Sequence, residues 1–392
     1  MQEHVSAEIF PSGSRTAVDD AAPSRLANGR VAPIFVYSGF RASSTWLWSK
    51  FRTHDGLLCY CEPFNEQLGR LTPDIVGGAR PDNWRSHHPD GAPYFLEYAE
   101  LLGESAGVPG FPAGWSIGER HTGAAGPQGP LDDDMAAYVR GLIEHAHARG
   151  RVPLLSCTRM LGRVRGLKGA FGGYHILLIR NLFQQWNSYA GQARFGNWFF
   201  LQTLHETLAL ARHDPVIARL SSIFPEETRA SFESWVAPGN FDRAFCYFAG
   251  FHLYFLTLAR RSADLVVNAN ALAGSDPAYR HAIVARIAHE IGIELDLEDA
   301  SEQVDFPLHL IADRQFCITL IDEMATTIKS ACVANADEQV FIDSLVADLW
   351  NEQAMFQRYT AGAAEYLAQI EARHEQELRD VRQAAIAREP EG

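Results

Sequence analysis

The sequence predicts an α/β fold in which a central, mostly parallel β-sheet is flanked by helices in three layers, with a helical C-terminal extension. Two observations lead to this prediction. Short apolar runs of strand length alternate with helical patterns between residues 33 and 292, and such alternation is typical of parallel sheets with helices on both faces. From about residue 318 to 388 the pattern is wholly helical.

Five apolar runs have the length and composition of strands that are buried on both faces. They are residues 33–37, 57–61, 152–157, 175–179 and 264–268. Helical patterns separate or follow these runs, and one of them starts beside three aspartates, where negative charge favours a helix N-terminus. The predicted helices are residues 45–54, 132–149, 182–194, 197–213, 240–261 and 277–292.

Three segments follow from this pattern. Residues 1–30 lack periodicity and are expected to be a disordered tail. Residues 31–300 are predicted to form the α/β domain, interrupted at 69–130 by a loop-rich insertion with one helical island near 94–102. An insertion of this length is usually a lid or a binding element, and a surface excursion without a role is the alternative. Residues 301–392 form the helical extension.

Composition excludes several classes of protein. The formal charge is −14 and no basic patch is evident, so a nucleic-acid partner is not expected. No apolar run has membrane-spanning length and the first residues lack signal-peptide features, so a soluble, cytoplasmic protein is expected. The six cysteines are scattered and are expected to be free, buried thiols.

Residues 34–46 (IFVYSGFRASSTW) read as a strand, a small polar loop and the start of a helix. This arrangement presents backbone N–H groups and a helix N-terminus to a phosphate. The loop lacks the second glycine and the lysine of the Walker A motif, and no clear Walker B aspartate ends a strand. An ATP-Mg²⁺ site is therefore disfavoured, while a polar turn without a ligand stays open.

Charged residues follow four of the predicted strands, one after each. They are Arg41, Glu62, Arg159 and Arg180. Ligands of parallel sheets bind at the carboxyl ends of the strands, so these side chains are expected to lie near one another. Ser188 follows Arg180 by eight residues, about 12 Å along a helix. Alone, this pair is better explained by a helical serine that bonds its own backbone and an arginine in a surface ion pair.

Together, these segments resemble the sulfotransferases that use 3′-phosphoadenosine 5′-phosphosulfate (PAPS). Residues 180–189 (RNLFQQWNSY) look like the 3′-phosphate-binding segment of that family, and residues 38–47 (SGFRASSTWL) resemble its 5′-phosphosulfate loop. Residues 62–64 (EPF) are similar to the acidic segment of many carbohydrate sulfotransferases, and 162–167 (GRVRGL) to a run in bacterial members. The resemblance covers about 35–190 and implies a P-loop-type fold.

The resemblance also implies a role for each motif residue. Arg180 and Ser188 would bind the 3′-phosphate, while Arg41 would stabilise charge at the bridging oxygen. The 5′ end would lie against the N–H groups of residues 42–46 and two hydroxyls. The cofactor-binding residues predicted in this loop are Arg41, Ala42, Ser43, Ser44, Thr45 and Trp46.

Glu62 is the predicted general base for an acceptor hydroxyl, and the resemblance implies that this hydroxyl belongs to a carbohydrate or glycolipid. The apolar run before it suggests burial, which would increase its basicity. A carboxylate at a helix N-terminus is the alternative interpretation, and Glu66 is the reserve base. Transfer would be direct and in line, with Glu62 and Arg41 as the catalytic residues and no metal required.

Two positions depart from the family pattern. Ser43 stands where a glycine is usual, and Leu182 where a proline is usual. If the first position needs a positive φ, serine costs about 1–2 kcal/mol there. Weak cofactor binding and a protein that kept the fold without the chemistry therefore stay open, as does a P-loop kinase.

Other polar residues have weaker predictions. Arg159 and Arg163 are expected either to bind a phosphate or an acceptor group, or to form surface ion pairs. His87 and His88 in the insertion are an alternative base or acceptor contact, although loop histidines are more often inert. The C-terminal helix is expected to pack on its own domain or to form a homodimer.

Overall fold

The computed structural model describes residues 32–78, 93–104, 106–303, 310–361 and 372–380. The predicted tail at 1–30, together with His87 and His88, lies outside the described residues. Within them, no helix is both long enough and apolar enough to cross a membrane.

A five-stranded, entirely parallel sheet forms the centre of the described part of the chain, with strand order β2-β3-β1-β4-β5. β1 is the middle strand and pairs with β3 and β4 on its two sides. All five predicted strands are confirmed, each within one residue of its predicted bounds. The strands are β1 Ile34–Tyr37, β2 Leu57–Cys61, β3 Val152–Cys157, β4 Tyr174–Ile179 and β5 Leu265–Asn268.

Helices connect the strands and cover the sheet. The α-helices are α1 Ser44–Arg52, α2 Pro73–Gly78, α3 Ile117–Thr122, α4 Asp133–Ala148, α5 Val164–Phe171, α6 Leu182–Arg194, α7 Phe199–Glu206, α8 Pro215–Ser221, α9 Glu226–Ala230, α10 Phe232–Trp235, α11 Phe241–Arg260, α12 Ala269–Leu272, α13 Ala278–Ile291, α14 Arg314–Ala331 and α15 Ala336–Ala361. Residues 372–380 are also helical. The short helices α8–α10 were not predicted, because segments of four to seven residues carry too little periodicity.

Two separate cores show why the fold has three layers. Alternate residues of a strand point to opposite faces of a sheet. In β1, Ile34 and Val36 join a core with α1 and α13, whereas Phe35 and Tyr37 join a larger core with α4, α6 and α11. Strands that are buried on both faces lack the alternation of apolar and polar residues that marks a half-exposed strand. They therefore appear in the sequence as continuous apolar runs.

The C-terminal helices pack onto the sheet domain. α14 packs on α11, and α15 packs on α6 and on α14. Leu345 and Leu349 of α15 are buried within their own chain, as the packing alternative expects; the homodimer stays a prediction.

The prediction of continuous helix after residue 318 was wrong at residues 332–335. The chain breaks there because Val333 has a positive φ of 48°. Asn335 then caps α15: its Oδ1 accepts from Glu338 N–H at 2.9 Å, and Glu338 Oε2 accepts from Asn335 N–H at 3.1 Å. This reciprocal pair is a capping box, a helix-start signal.

Candidate functional site

The loop after β1 turns sharply into α1 at two residues in the left-handed region. Arg41 has φ 61°, and Ser43 has φ 67° and ψ 23°. Ser43 therefore has a positive φ, which is the condition under which serine is strained at this position. The left-handed conformation costs an L-residue about 1–2 kcal/mol. Such strain concentrates at functional sites, where the surrounding structure maintains it.

The N-terminus of α1 has no side-chain cap from Ser43, and its first turn carries no acidic residue that would repel an anion. The first N–H groups of a helix lack intrahelical partners and carry a partial positive charge. Ala42 and Ser44 are buried at this helix start and Thr45 is half-buried. The Trp46 ring instead packs in the core shared with α13, and its indole N–H donates to Asp299 Oδ1 at 3.1 Å.

Arg41, Arg180 and Ser188 meet at the carboxyl edge of the sheet. Arg41 Nε donates to Ser188 Oγ at 2.8 Å, and Arg180 Nη1 donates to the carbonyl oxygen of Arg41 at 3.0 Å. Arg180, directly after β4, and Ser188, in the second turn of α6, are both buried. Two strands that are neighbours in the sheet thus bring the two predicted phosphate-binding segments into contact.

Two polar residues, Gln185 and His252, pack against the loop after β1. Gln185 Nε2 donates to the carbonyl oxygen of Phe40 at 2.6 Å and lies 3.2 Å from His252 Nε2. Gly39 packs so closely that a Cβ there would lie 2.6 Å from both side chains. His252 is fully buried, and this burial lowers its pKa to about 4, so it is neutral at pH 7.

Glu62 lies at the end of β2 and has a positive φ of 47°. Its Oε2 accepts three hydrogen bonds, from Arg159 Nη1 at 2.7 Å, from Thr158 Oγ1 at 2.9 Å and from Thr158 N–H at 3.2 Å. The side chain is 18% exposed. Glu62 is therefore a partly buried carboxylate whose charge is balanced by Arg159, rather than a carboxylate in an apolar pocket.

Arg159 links Glu62 to Glu66, the reserve base. Its Nη2 lies 3.2 Å from Glu66 Oε2, and its guanidinium stacks over Phe40 at 4.9 Å. Arg120 contacts the same carboxylate, with Nη1 2.7 Å from Glu66 Oε1. Both arginines are buried, so the prediction of a surface ion pair was wrong for Arg159. Glu66 is 40% exposed and lies at the outer side of this network.

Arg163 is also buried, so the surface ion pair predicted for it was wrong too. Its guanidinium donates to the carbonyl oxygens of Thr122, Gly126 and Pro130 and pairs with Asp132 at 2.8 Å. These partners hold the end of the insertion against the residues after β3. Arg163 thus has a structural role.

One residue of the insertion, Tyr94, lies against the start of α1, a contact that the sequence did not predict. The hydroxyl group of Tyr94 lies near the side chain of Thr45, and burial raises the pKa of Tyr94. Its ring also contacts that of Trp48 on α1. The insertion therefore contributes a side chain to the helix start that the β1 loop forms.

Comparisons of the chain with protein-family models, with curated proteins and with solved structures found no match. A functional conclusion therefore depends on the contacts described above.

Proposed function

We propose that the protein is a PAPS-dependent sulfotransferase that transfers a sulfuryl group to a hydroxyl of a carbohydrate or glycolipid. The observation that supports it most is the meeting of two cation-bearing segments, in which Arg41 contacts Ser188 and Arg180 contacts the Arg41 carbonyl. The N-terminus of α1, which Ser43 does not cap, adjoins them. A ligand with anionic groups on both the 3′ and the 5′ oxygen of one ribose would suit two cationic segments that lie in contact.

The 5′-phosphosulfate would lie against the first turn of α1, where N–H groups without helical partners stabilise anions. Arg41 would neutralise the charge that develops on the bridging oxygen as the sulfuryl group leaves. Arg180 and Ser188 would bind the 3′-phosphate, which distinguishes this cofactor from ATP. Because the loop lacks the Walker lysine, a kinase reaction has less support from the residues present.

Glu62 would act as the general base. The acceptor oxygen attacks sulfur, its proton passes to the Glu62 carboxylate, the bond between sulfur and the bridging oxygen breaks, and adenosine 3′,5′-bisphosphate leaves. Among the residues that the structure describes, none donates a hydrogen bond to Oε1 of Glu62, since the three bonds from Arg159 and Thr158 all reach Oε2. Oε1 is then the oxygen for the acceptor, with Oε2 held in place.

A second candidate is a binding protein with the same fold and no transfer activity. The ion pair between Glu62 and Arg159 favours it, because the carboxylate proposed as the base already has a cationic partner. This candidate predicts that the nucleotide binds and that no acceptor is ever sulfated.

A thermal-shift experiment separates these functions from a kinase. The protein is melted alone, with adenosine 3′,5′-bisphosphate, and with ADP and Mg²⁺. A ligand at 100 times its dissociation constant stabilises a protein by about 2.7 kcal/mol. Stabilisation by the bisphosphate alone supports the proposal, whereas stabilisation by ADP-Mg²⁺ alone refutes it. Mass spectrometry of sugar and glycolipid acceptors incubated with PAPS then distinguishes the transferase from the binding protein.

A further inference from the structure

A cavity of about 1020 Å³ opens beside Arg180, between the ends of β4 and β5 and the C-terminal helix α15. This volume is at the upper end of the range for small-molecule sites. The sheet side of the cavity is formed by Arg180 and Asn181 after β4, by Asn268 at the end of β5 and by Asn270 on α12. The opposite side comes entirely from the C-terminal extension, which carried little of the resemblance.

The lining combines apolar residues with a number of hydrogen-bond donors. Three arginines from three different elements line it, namely Arg180 after β4, Arg314 at the start of α14 and Arg358 on α15. Two carboxylates, Asp348 and Glu352, face them from α15. Guanidinium groups bind phosphates, while amides and carboxylates are the usual partners of base edges and of ribose hydroxyls.

Two direct contacts fix α15 against the first turn of α6. Asn181 Nδ2 donates to the carbonyl oxygen of Asp348 at 2.8 Å, and Gln184 Nε2 donates to Glu352 Oε1 at 2.7 Å. Gln184 Oε1 in turn accepts from Asn270 Nδ2 at 2.9 Å. The wall is therefore connected by hydrogen bonds to the segment that carries Arg180.

Two features of α15 suit an occupied cavity. Partial desolvation and the neighbouring charge of Glu352 raise the pKa of Asp348, although its side chain is solvent-accessible, so a hydrogen-bond donor such as the amino group of adenine would stabilise its ionised form. Asn351 and Arg358 are exposed toward the cavity. Their side chains can therefore reach a ligand without disturbing the core.

We propose that α15 forms one wall of the nucleotide site, with Asn351 and Arg358 contacting the nucleoside and 3′-phosphate of a nucleotide anchored at Arg180. This inference rests on the proposed function, because the ligand is the adenosine part of the same cofactor. It assigns the C-terminal extension a binding role that is independent of any dimer. It also predicts that substitutions on the cavity side of α15 weaken cofactor binding.

Calorimetric titration with adenosine 3′,5′-bisphosphate tests the wall. The wild-type chain is compared with Arg358→Ala, Arg358→Glu and Asn351→Ala. Arg165→Ala is the matched control, since Arg165 is an exposed arginine on α5 that does not line the cavity. A lost hydrogen bond to a charged group costs enough to weaken binding by about tenfold. We expect that loss for Arg358→Ala, a larger one for Arg358→Glu, and none for Arg165→Ala.

The outcomes separate this inference from the proposed function. If the wild-type protein binds the bisphosphate and Arg180→Ala weakens binding, but neither Arg358 variant nor Asn351→Ala changes affinity, the α15 wall is refuted and the function stands. If the wild-type protein does not bind the bisphosphate, both fail. Hydrogen exchange gives an independent readout: the bisphosphate should slow amide exchange in residues 336–361, and unchanged exchange there contradicts the wall.

Discussion

Arg41 Nε and Ser188 Oγ are 2.8 Å apart, although 147 positions separate the two residues in the chain. The contact joins the loop after β1 to the helix after β4. Each segment has its own sequence pattern that favours an anionic cofactor. Because the two side chains are joined by a direct hydrogen bond, a substitution of Ser188 should change the position of the Arg41 side chain.

Ser188→Ala should weaken the binding of adenosine 3′,5′-bisphosphate by about tenfold, because a hydrogen bond to a charged group contributes about 1.5–3 kcal/mol. The variant removes both a predicted phosphate contact and the partner of Arg41. Isothermal titration calorimetry measures the change. Ser222→Ala is the control, since Ser222 is an exposed serine whose Oγ bonds only the carbonyl oxygen of Arg219, at 2.7 Å. Equal affinities for the wild-type protein and Ser188→Ala would argue against a role for this hydroxyl.

Ser43→Gly should stabilise the fold. The left-handed φ of 67° costs serine about 1–2 kcal/mol, and glycine adopts that conformation without this cost. Part of the gain is offset by the greater entropy of glycine in the unfolded chain. Urea unfolding should therefore give a higher midpoint for the variant. Ser49→Gly, within α1, should lower the midpoint, because glycine is destabilising in a helix interior. A lower midpoint for Ser43→Gly would show that the strain is not relieved.

Glu62→Gln should reduce turnover by about 10²- to 10⁴-fold, the usual contribution of a general base. Its affinity for adenosine 3′,5′-bisphosphate should stay close to that of the wild-type protein, because Glu62 does not belong to the phosphate-binding segments. Glu66→Gln is the matched comparison and should have the smaller effect, since Glu66 lies at the more exposed side of Arg159. Near-normal turnover in Glu62→Gln would remove this residue from the role of base.

The stability of the protein should fall as the pH is lowered from about 6.5 toward 4. Burial lowers the pKa of His121 to about 3 and the pKa values of His175 and His252 to about 4. An unfolded histidine titrates near 6.5, so in this window the unfolded state binds more protons than the folded state. Each histidine then removes up to about 1.4 kcal/mol of stability per pH unit.

Urea unfolding at several pH values between 7 and 4.5 measures this slope. His252→Gln should show a shallower slope than the wild-type protein, since one titrating group is absent. His281→Gln should leave the slope unchanged, because His281 is exposed on α13. A wild-type stability that is constant between pH 6.5 and 4.5 would contradict the neutral state of the buried histidines.

The sheet was predictable because buried parallel strands give short apolar runs, and their carboxyl ends meet at one edge. That rule alone predicts that Arg41 and Arg180 lie close together. The partners of Glu62 could not be predicted in the same way. Whether Arg159 turns toward a phosphate or toward Glu62 depends on side-chain packing against Phe40, which strand periodicity does not report.

Contacts between segments that are far apart in the chain could not be predicted from the sequence either. Tyr94 lies at the start of the helical island predicted within the insertion, but that short pattern does not show that its ring contacts Trp48 of α1. Glu352 of α15 contacts Gln184 across 168 positions of the chain, and an amphipathic helix alone does not reveal which surface it covers. The start of α15, by contrast, could have been predicted from the sequence, because Asn335 and Glu338 have the spacing of a capping box.

The most direct test of the central claim measures whether the protein recognises a 3′-phosphate through Arg180. Calorimetry compares adenosine 3′,5′-bisphosphate with adenosine 5′-monophosphate, for the wild-type protein and for Arg180→Ala. We predict that the wild-type protein binds the bisphosphate at least about tenfold more tightly, and that this preference disappears in Arg180→Ala. Equal affinities of the wild-type protein for the two nucleotides, or a preference that survives in Arg180→Ala, would contradict the account.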